Sequence, residues 1–138
     1  MELKQISKWF VLTGTICIWL VKLIIRPYYN TDPGLGFFLG IAPNLLGSFL
    51  IPFGACWLFS GKDFLLARIF RVHSSGGLLT VCVLGFGLLV INEYLQLIPV
   101  FGRTFDYFDL VFSAFGLGIS YLVFGKMYSR TMLRYYPD

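Results

Sequence analysis

Residues 77–98 read GLLTVCVLGFGLLVINEYLQLI, an apolar run that carries a single formal charge, on Glu93. An α-helix rises about 1.5 Å per residue, so about 20 apolar residues cross the hydrocarbon core of a bilayer. The run therefore predicts a transmembrane helix. Three further stretches of the chain have the same character, at residues 8–26, 36–59 and 107–126.

The composition of the chain agrees with four membrane spans. Of 138 residues, 57% are hydrophobic and 13% are charged, whereas about 25% of the residues in a soluble domain are charged. The first apolar run has no small-residue cleavage site after it, so we expect a retained helix rather than a signal peptide. The sequence predicts an all-α integral membrane protein, a four-helix up-down bundle that forms one domain over residues 1–138.

The lysines and arginines predict which way this bundle faces. Eight of the 11 lie at the N-terminus, between spans two and three, or at the C-terminus: Lys4, Lys8, Lys62, Arg68, Arg71, Lys126, Arg130 and Arg134. The other three are Lys22, Arg26 and Arg103. Because cytoplasmic loops carry the excess of basic residues, we expect both termini to face the cytoplasm.

Polar residues within or beside the spans indicate a site near the outer face. Counted along the helices from each span end, eight of them reach a similar depth: Lys22, Arg26, Asn44, Glu93, Gln96, Arg103, Asp106 and Asp109. A charge at the bilayer centre costs about 2.5–3.5 kcal/mol on insertion scales, so such residues usually have a function. We therefore predict that these eight residues bind a ligand.

A structural alternative stays open for the same cluster. Its three cations balance its three carboxylates, so the charges can pair internally. In that case Arg103 would bridge Glu93 and an aspartate and would hold spans three and four together. Buried ion pairs stabilise proteins poorly, which favours the ligand site over this alternative.

Other kinds of site lack their sequence signals. Cys17, Cys56 and Cys82 match no zinc-binding spacing, and His73 is the one histidine of the chain. The sequence has no phosphate-binding glycine loop, nucleophile elbow or zinc-protease motif. We expect neither a cofactor nor a bound metal. We expect no nucleic acid partner either, because the net charge of +4 comes from basic residues that flank membrane spans.

An ordered set of polar and small positions runs through residues 88–124. The positions are Glu93, Gln96, Pro99, Gly102, Arg103, Asp106, Asp109 and Gly116. In order and spacing they resemble the VanZ-like family of bacterial membrane proteins. Leu95 and Ser113 stand where many members have His and Asn, so the chain is identified as a divergent member. The resemblance implies a bacterial inner-membrane protein of the cell envelope, in a family named for glycopeptide resistance, and it implies no particular reaction.

Three functions are compatible with these observations. The first is a binding module that holds a lipid headgroup, a lipid-linked envelope precursor or an amphiphilic drug, with Arg103 on a phosphate or carboxylate. The second is a small accessory subunit of a larger membrane complex, or of a homo-oligomer. The third is a metal-assisted enzyme on a lipid-linked substrate, with Asp106 or Asp109 at a divalent cation and Glu93 as the base. Transport is a weaker fourth option, because four spans are few for it.

Overall fold

A computed structural model describes residues 2–29, 33–98 and 105–135, and every regular element in these ranges is a helix. In chain order the elements are α1 (Leu3–Leu20), a π-helical segment (Val21–Ile25), α2 (Arg26–Tyr29), α3 (Pro33–Phe49), α4 (Ile51–Phe59), α5 (Leu65–Phe70), α6 (Ser75–Leu95) and α7 (Tyr107–Tyr135). Four stretches are long and apolar enough to cross a membrane: Leu3–Tyr29, Gly34–Phe59, Ser75–Leu95 and Tyr107–Thr131. The prediction of an all-α chain with four potential membrane spans is confirmed.

The helices begin and end at different residues from those that hydropathy predicts. The first begins at Leu3 rather than at residue 8, because lysine is a good helix former and does not end a helix. The third begins at Ser75, since the hydroxyl of Ser74 caps it by accepting the Gly77 N–H at 3.1 Å. It ends at Leu95, three residues before the predicted end.

Two of the four spans are interrupted helices. In the first span, the N–H of Arg26 donates to the carbonyl of Val21, five residues back, which is the hydrogen bond of a π-helix. In the second span, α3 and α4 meet at Leu50, just before Pro52. Proline has no N–H to donate, so the helical hydrogen-bond ladder breaks there. The hydroxyl of Ser120 in α7 donates to the carbonyl of Phe49 at this break, at 2.6 Å.

Helices α3 and α7 approach each other closely at Gly116. A Cβ atom on Gly116 would lie closer than 3.0 Å to the Ser48 hydroxyl and to the Leu45 carbonyl. Ser48 and Ser120 are fully buried between these helices. Small residues at such positions let two helix backbones approach, which is how helices associate in membranes.

The apolar core lies between α4, α6 and α7. Phe53 and Phe124 are fully buried, and their ring centroids are 5.2 Å apart in an edge-on arrangement. Phe10 of α1 also stacks on Phe53, with centroids 4.7 Å apart. This aromatic stack joins the first span to the second and the second to the fourth.

Two contacts connect helix termini at the end of the molecule opposite residues 22–26 and 92–96. The ammonium of Lys4, at the start of α1, donates to the carbonyl of Ser60, just after α4, at 3.1 Å. The hydroxyl of Tyr128, late in α7, donates to the carbonyl of His73, just before α6. The starts of α1 and α6 therefore lie beside the later parts of α4 and α7.

The outer surface of the first span is strongly apolar. Trp19, Leu23 and Ile16 are each more than half exposed on the protein surface. Cys17 is also exposed, unlike the buried Cys56 and Cys82. Exposed apolar side chains of this size are suited to contact with lipid tails.

Candidate functional site

A cavity of 690 Å³ opens where one end of each of the four spans meets the others. Ligand-binding cavities are typically about 300–1,000 Å³, so the volume is in the range for a small ligand or a head group. The cavity is lined by Lys22, Arg26, Gly36, Phe37, Gly40, Ile41, Pro43, Asn44, Asn92, Gln96, Asp106 and Asp109. Its walls thus combine two cations, two carboxylates and three amides, and every span contributes to them.

The two cations lie on the first span, at the interruption of its helix. Lys22 is within the π-helical segment and Arg26 is the first residue of α2, so the two are four residues apart and share a face of the span. Neither has a carboxylate within 4.0 Å among the residues that the structure describes, where Arg71–Asp63 is the one ion pair. Both cations are therefore available to an anion that enters the cavity.

The two carboxylates line the cavity at the start of the fourth span, where Asp106 comes just before α7 and Asp109 lies in its first turn. Asp106 caps the helix, because its Oδ1 accepts the N–H of Phe108 at 2.9 Å. Asp109 is partly buried and interacts with the Asn44 side chain of α3. It also interacts electrostatically with Lys22 and Arg26, although no contact ion pair forms. The N-terminal end of a helix dipole stabilises negative charge, which favours carboxylates at these two positions.

Glu93 holds the ends of α6 and α7 together behind the cavity wall. It is only 5% exposed, and both carboxylate oxygens accept hydrogen bonds. Its Oε2 accepts from Gln96 Nε2 at 2.6 Å, and its Oε1 accepts from the backbone N–H of Asp106 at 3.0 Å. Glu93 does not line the cavity. It fixes two residues that do line it.

Three amides also line the cavity. Asn44 follows Pro43 in α3, while Asn92 and Gln96 are four residues apart and so lie on one face at the end of α6. An amide offers both a donor and an acceptor, so it adapts to either end of a polar ligand. The aromatic ring of Phe37 lines the cavity beside them and packs edge-on against Phe108, with ring centroids 5.4 Å apart.

The structure brings six of the eight predicted residues around one cavity: Lys22, Arg26, Asn44, Gln96, Asp106 and Asp109. Of the other two, Glu93 supports the wall from behind, and Arg103 lies outside the described residues. Sequence reasoning missed Asn92 and Phe37 as lining residues. Asn92 had a signal, since it precedes Gln96 by one helical turn. Phe37 had none, because phenylalanine is abundant throughout this chain.

Within residues 2–29, 33–98 and 105–135, no group of three or more His, Cys, Asp or Glu side chains is placed to hold a metal ion. The side chains that line the cavity offer charges of both signs and hydrogen-bond donors and acceptors. No protein-family model, curated protein or solved structure matches the chain. The function is therefore inferred from these residues and their geometry.

Proposed function

We propose that this chain is a polytopic membrane protein that binds the polar head group of an amphiphile in this cavity. The amphiphile would be a membrane lipid, a lipid-linked envelope precursor or an amphiphilic drug. The observation that carries the proposal is the meeting of six widely spaced polar side chains from four spans around one cavity. The side chains converge there from four separate apolar spans, and packing alone would not require all of them.

Different side chains of the cavity lining suit different parts of such a ligand. The guanidinium of Arg26 matches a phosphate or carboxylate through paired hydrogen bonds, and Lys22 adds a compact positive charge. Asn44 and Gln96 supply neutral hydrogen bonds. Asp106 and Asp109 accept hydrogen bonds from amines or hydroxyl groups.

The proposal places the cavity at the outer face of a bacterial inner membrane. The contacts Lys4–Ser60 and His73–Tyr128 at the opposite end support an up-down arrangement of the spans. Most of the basic residues lie at that opposite end, which supports cytoplasmic N- and C-termini. The resemblance of residues 88–124 to the VanZ-like family supports a role in the cell envelope.

The test is native mass spectrometry of the protein released gently from membranes with its lipids. We would compare the wild type with the double variant Lys22→Gln/Arg26→Gln. The matched control is Lys8→Gln/Lys126→Gln, which removes the same charge from exposed positions at the other end of the molecule. We expect a discrete adduct of lipid mass on the wild type and on the control, and its loss from the cavity variant.

Two results would contradict the proposal. An adduct that persists unchanged in Lys22→Gln/Arg26→Gln would show that bound lipid lies elsewhere. A larger protein that is retained at fixed stoichiometry, with no small adduct in any variant, would identify the chain as an accessory subunit instead. Thermal unfolding of each variant in detergent serves as the check that the substitutions leave the fold intact.

A further inference from the structure

We infer that the head group bound in this cavity carries an anion and a primary ammonium group together, as in a phosphoethanolamine unit. This inference rests on the proposed binding function and names the class of ligand. It follows from how the charges are divided between the spans, because the cations lie on the first span and the carboxylates lie at the start of the fourth. The anion would lie at Lys22 and Arg26, and the ammonium group would lie at Asp106 and Asp109.

The charged walls are near enough to influence each other and yet do not pair. Asp109 interacts electrostatically with both Lys22 and Arg26, but none of these groups forms an ion pair within 4.0 Å in the described part of the chain. Opposite charges that line one cavity without a contact ion pair are both open to a ligand that carries both charges. A purely anionic head group would leave the two carboxylates unpaired and would be repelled by them.

Asp106 has an oxygen to offer such a ligand. Its Oδ1 is occupied by the N–H of Phe108, while Oδ2 has no hydrogen-bond partner among the described residues. The backbone N–H of Asp106 donates to Glu93, and this hydrogen bond holds Asp106 at the edge of the cavity. A position held in this way needs little reorganisation when the ligand enters, which favours binding.

The cavity lining favours a primary amine over a quaternary one. A primary ammonium group has three N–H donors, which carboxylates and amide carbonyls accept. A quaternary ammonium group has none and is bound instead by cages of aromatic rings. Phe37 is the one aromatic side chain among the described lining residues, whereas Asn44, Gln96 and the two aspartates all present acceptors.

The experiment measures binding of three lipids with identical acyl chains, supplied as an equimolar mixture in nanodiscs. The lipids are phosphatidylethanolamine, phosphatidylglycerol and phosphatidylcholine, which share the phosphate and differ in the group attached to it. Native mass spectrometry gives the ratio of bound species. We expect phosphatidylethanolamine to exceed each of the others by about tenfold, the ratio that one charge-assisted hydrogen bond supports.

Two substitutions each remove one negative charge from the cavity lining without changing the size of the side chain. Asp109→Asn and Asp106→Asn should each reduce the ratio of phosphatidylethanolamine to phosphatidylglycerol toward one. Asn caps a helix as well as Asp does, so Asp106→Asn is expected to fold even if Asp109→Asn does not. Asp63→Asn, an exposed carboxylate at the other end of the molecule, is the matched control and should leave the ratio unchanged.

A second arm separates a membrane lipid from a soluble ligand with the same chemistry. Displacement of bound lipid by glycerophosphoethanolamine, but not by glycerophosphoglycerol, would show that the head group alone is recognised. Retention of the lipid together with the tenfold preference would show that the acyl chains are needed as well. Both results support recognition of the amine.

The inference fails if the wild type binds phosphatidylethanolamine and phosphatidylglycerol equally. It also fails if both aspartate variants fold and keep the wild-type ratio. These failures differ from failure of the proposed function, in which Lys22→Gln/Arg26→Gln would not reduce the binding of any of the three lipids. The aspartate variants therefore test recognition of the amine, whereas Lys22→Gln/Arg26→Gln tests whether lipid binds in the cavity.

Discussion

Replacing Gly116 with alanine tests the contact between α3 and α7 on which the cavity depends. The new Cβ would meet the Ser48 hydroxyl and the Leu45 carbonyl oxygen at less than 3.0 Å. Ser48 can rotate its hydroxyl, but the carbonyl of Leu45 belongs to the helix backbone and cannot move independently. The two helices must therefore separate.

The size of the effect follows from comparison with Gly118, two residues along the same helix. A Cβ on Gly118 meets nothing within 4 Å. Both substitutions gain about 0.5–1 kcal/mol from the better helix propensity of alanine. Only Gly116→Ala adds an overpacked contact, which costs about 1–3 kcal/mol. The propensity gain cancels in the comparison, so Gly116→Ala should be less stable than Gly118→Ala by about 1–3 kcal/mol.

The assay is reversible unfolding in mixed micelles, with increasing amounts of a denaturing detergent and helicity followed by circular dichroism. Asn44 of α3 and Asp109 of α7 interact across the same helix pair. We therefore also expect Gly116→Ala, but not Gly118→Ala, to weaken the lipid adduct. Equal free energies of unfolding for the two variants would refute the close approach of α3 and α7.

Three further predictions concern polar contacts. Glu93→Ala should lower the free energy of unfolding by about 1–3 kcal/mol, because two hydrogen bonds to a buried carboxylate are lost, each worth about 0.5–1.5 kcal/mol. Gln96→Ala should lower the free energy of unfolding by less, because it removes only one of the two hydrogen bonds to Glu93. A larger loss for Gln96→Ala than for Glu93→Ala in the same assay would contradict the role of Glu93 in holding α6 and α7 together. Ser120→Ala removes the hydrogen bond from the buried Ser120 hydroxyl to α3 and should lower the free energy of unfolding by about 0.5–1.5 kcal/mol. An unchanged unfolding curve would contradict this prediction. Asp63→Asn breaks the ion pair with Arg71, in which the Asp63 side chain is 83% exposed, so it should cost at most about 1 kcal/mol. A larger loss in the unfolding assay would show that this exposed pair matters for stability.

The polar residues at this end of the bundle divide between two kinds of contact. Glu93 hydrogen-bonds Gln96 and the backbone of Asp106, so part of the cluster holds α6 and α7 together. Lys22 and Arg26 form no contact ion pair within the described residues, so their charges do not help to hold α6 and α7 together. The ligand site and the structural alternative thus apply to different members of the same cluster.

One of the two helix interruptions lies at this end of the bundle. The π-helical segment contains Lys22 and leads directly into Arg26, and both residues line the cavity. Single π-helical turns are frequent at functional sites. The position of this segment beside the cavity is consistent with a binding role for this end of the bundle.

The all-α class, the four apolar spans and the meeting of polar residues at one end of the bundle could be predicted from the sequence alone. The reason is that transfer free energy adds along the chain and a helix converts residue number into depth at about 1.5 Å per residue. A polar residue near a span end can therefore be assigned a depth before any packing is known. This is why six of the eight predicted residues lie around the cavity.

Only the tertiary structure decided which way each polar side chain faces and what it contacts. Glu93 and Asn92 are adjacent in sequence, yet one is buried behind the wall and the other lines the cavity. Gly116 and Gly118 look equivalent in sequence, yet only the first lies against α3. Depth depends on position along one helix, whereas contact depends on the rotation of that helix against its neighbours. That rotation is set by the packing of the whole bundle, and no single segment contains it.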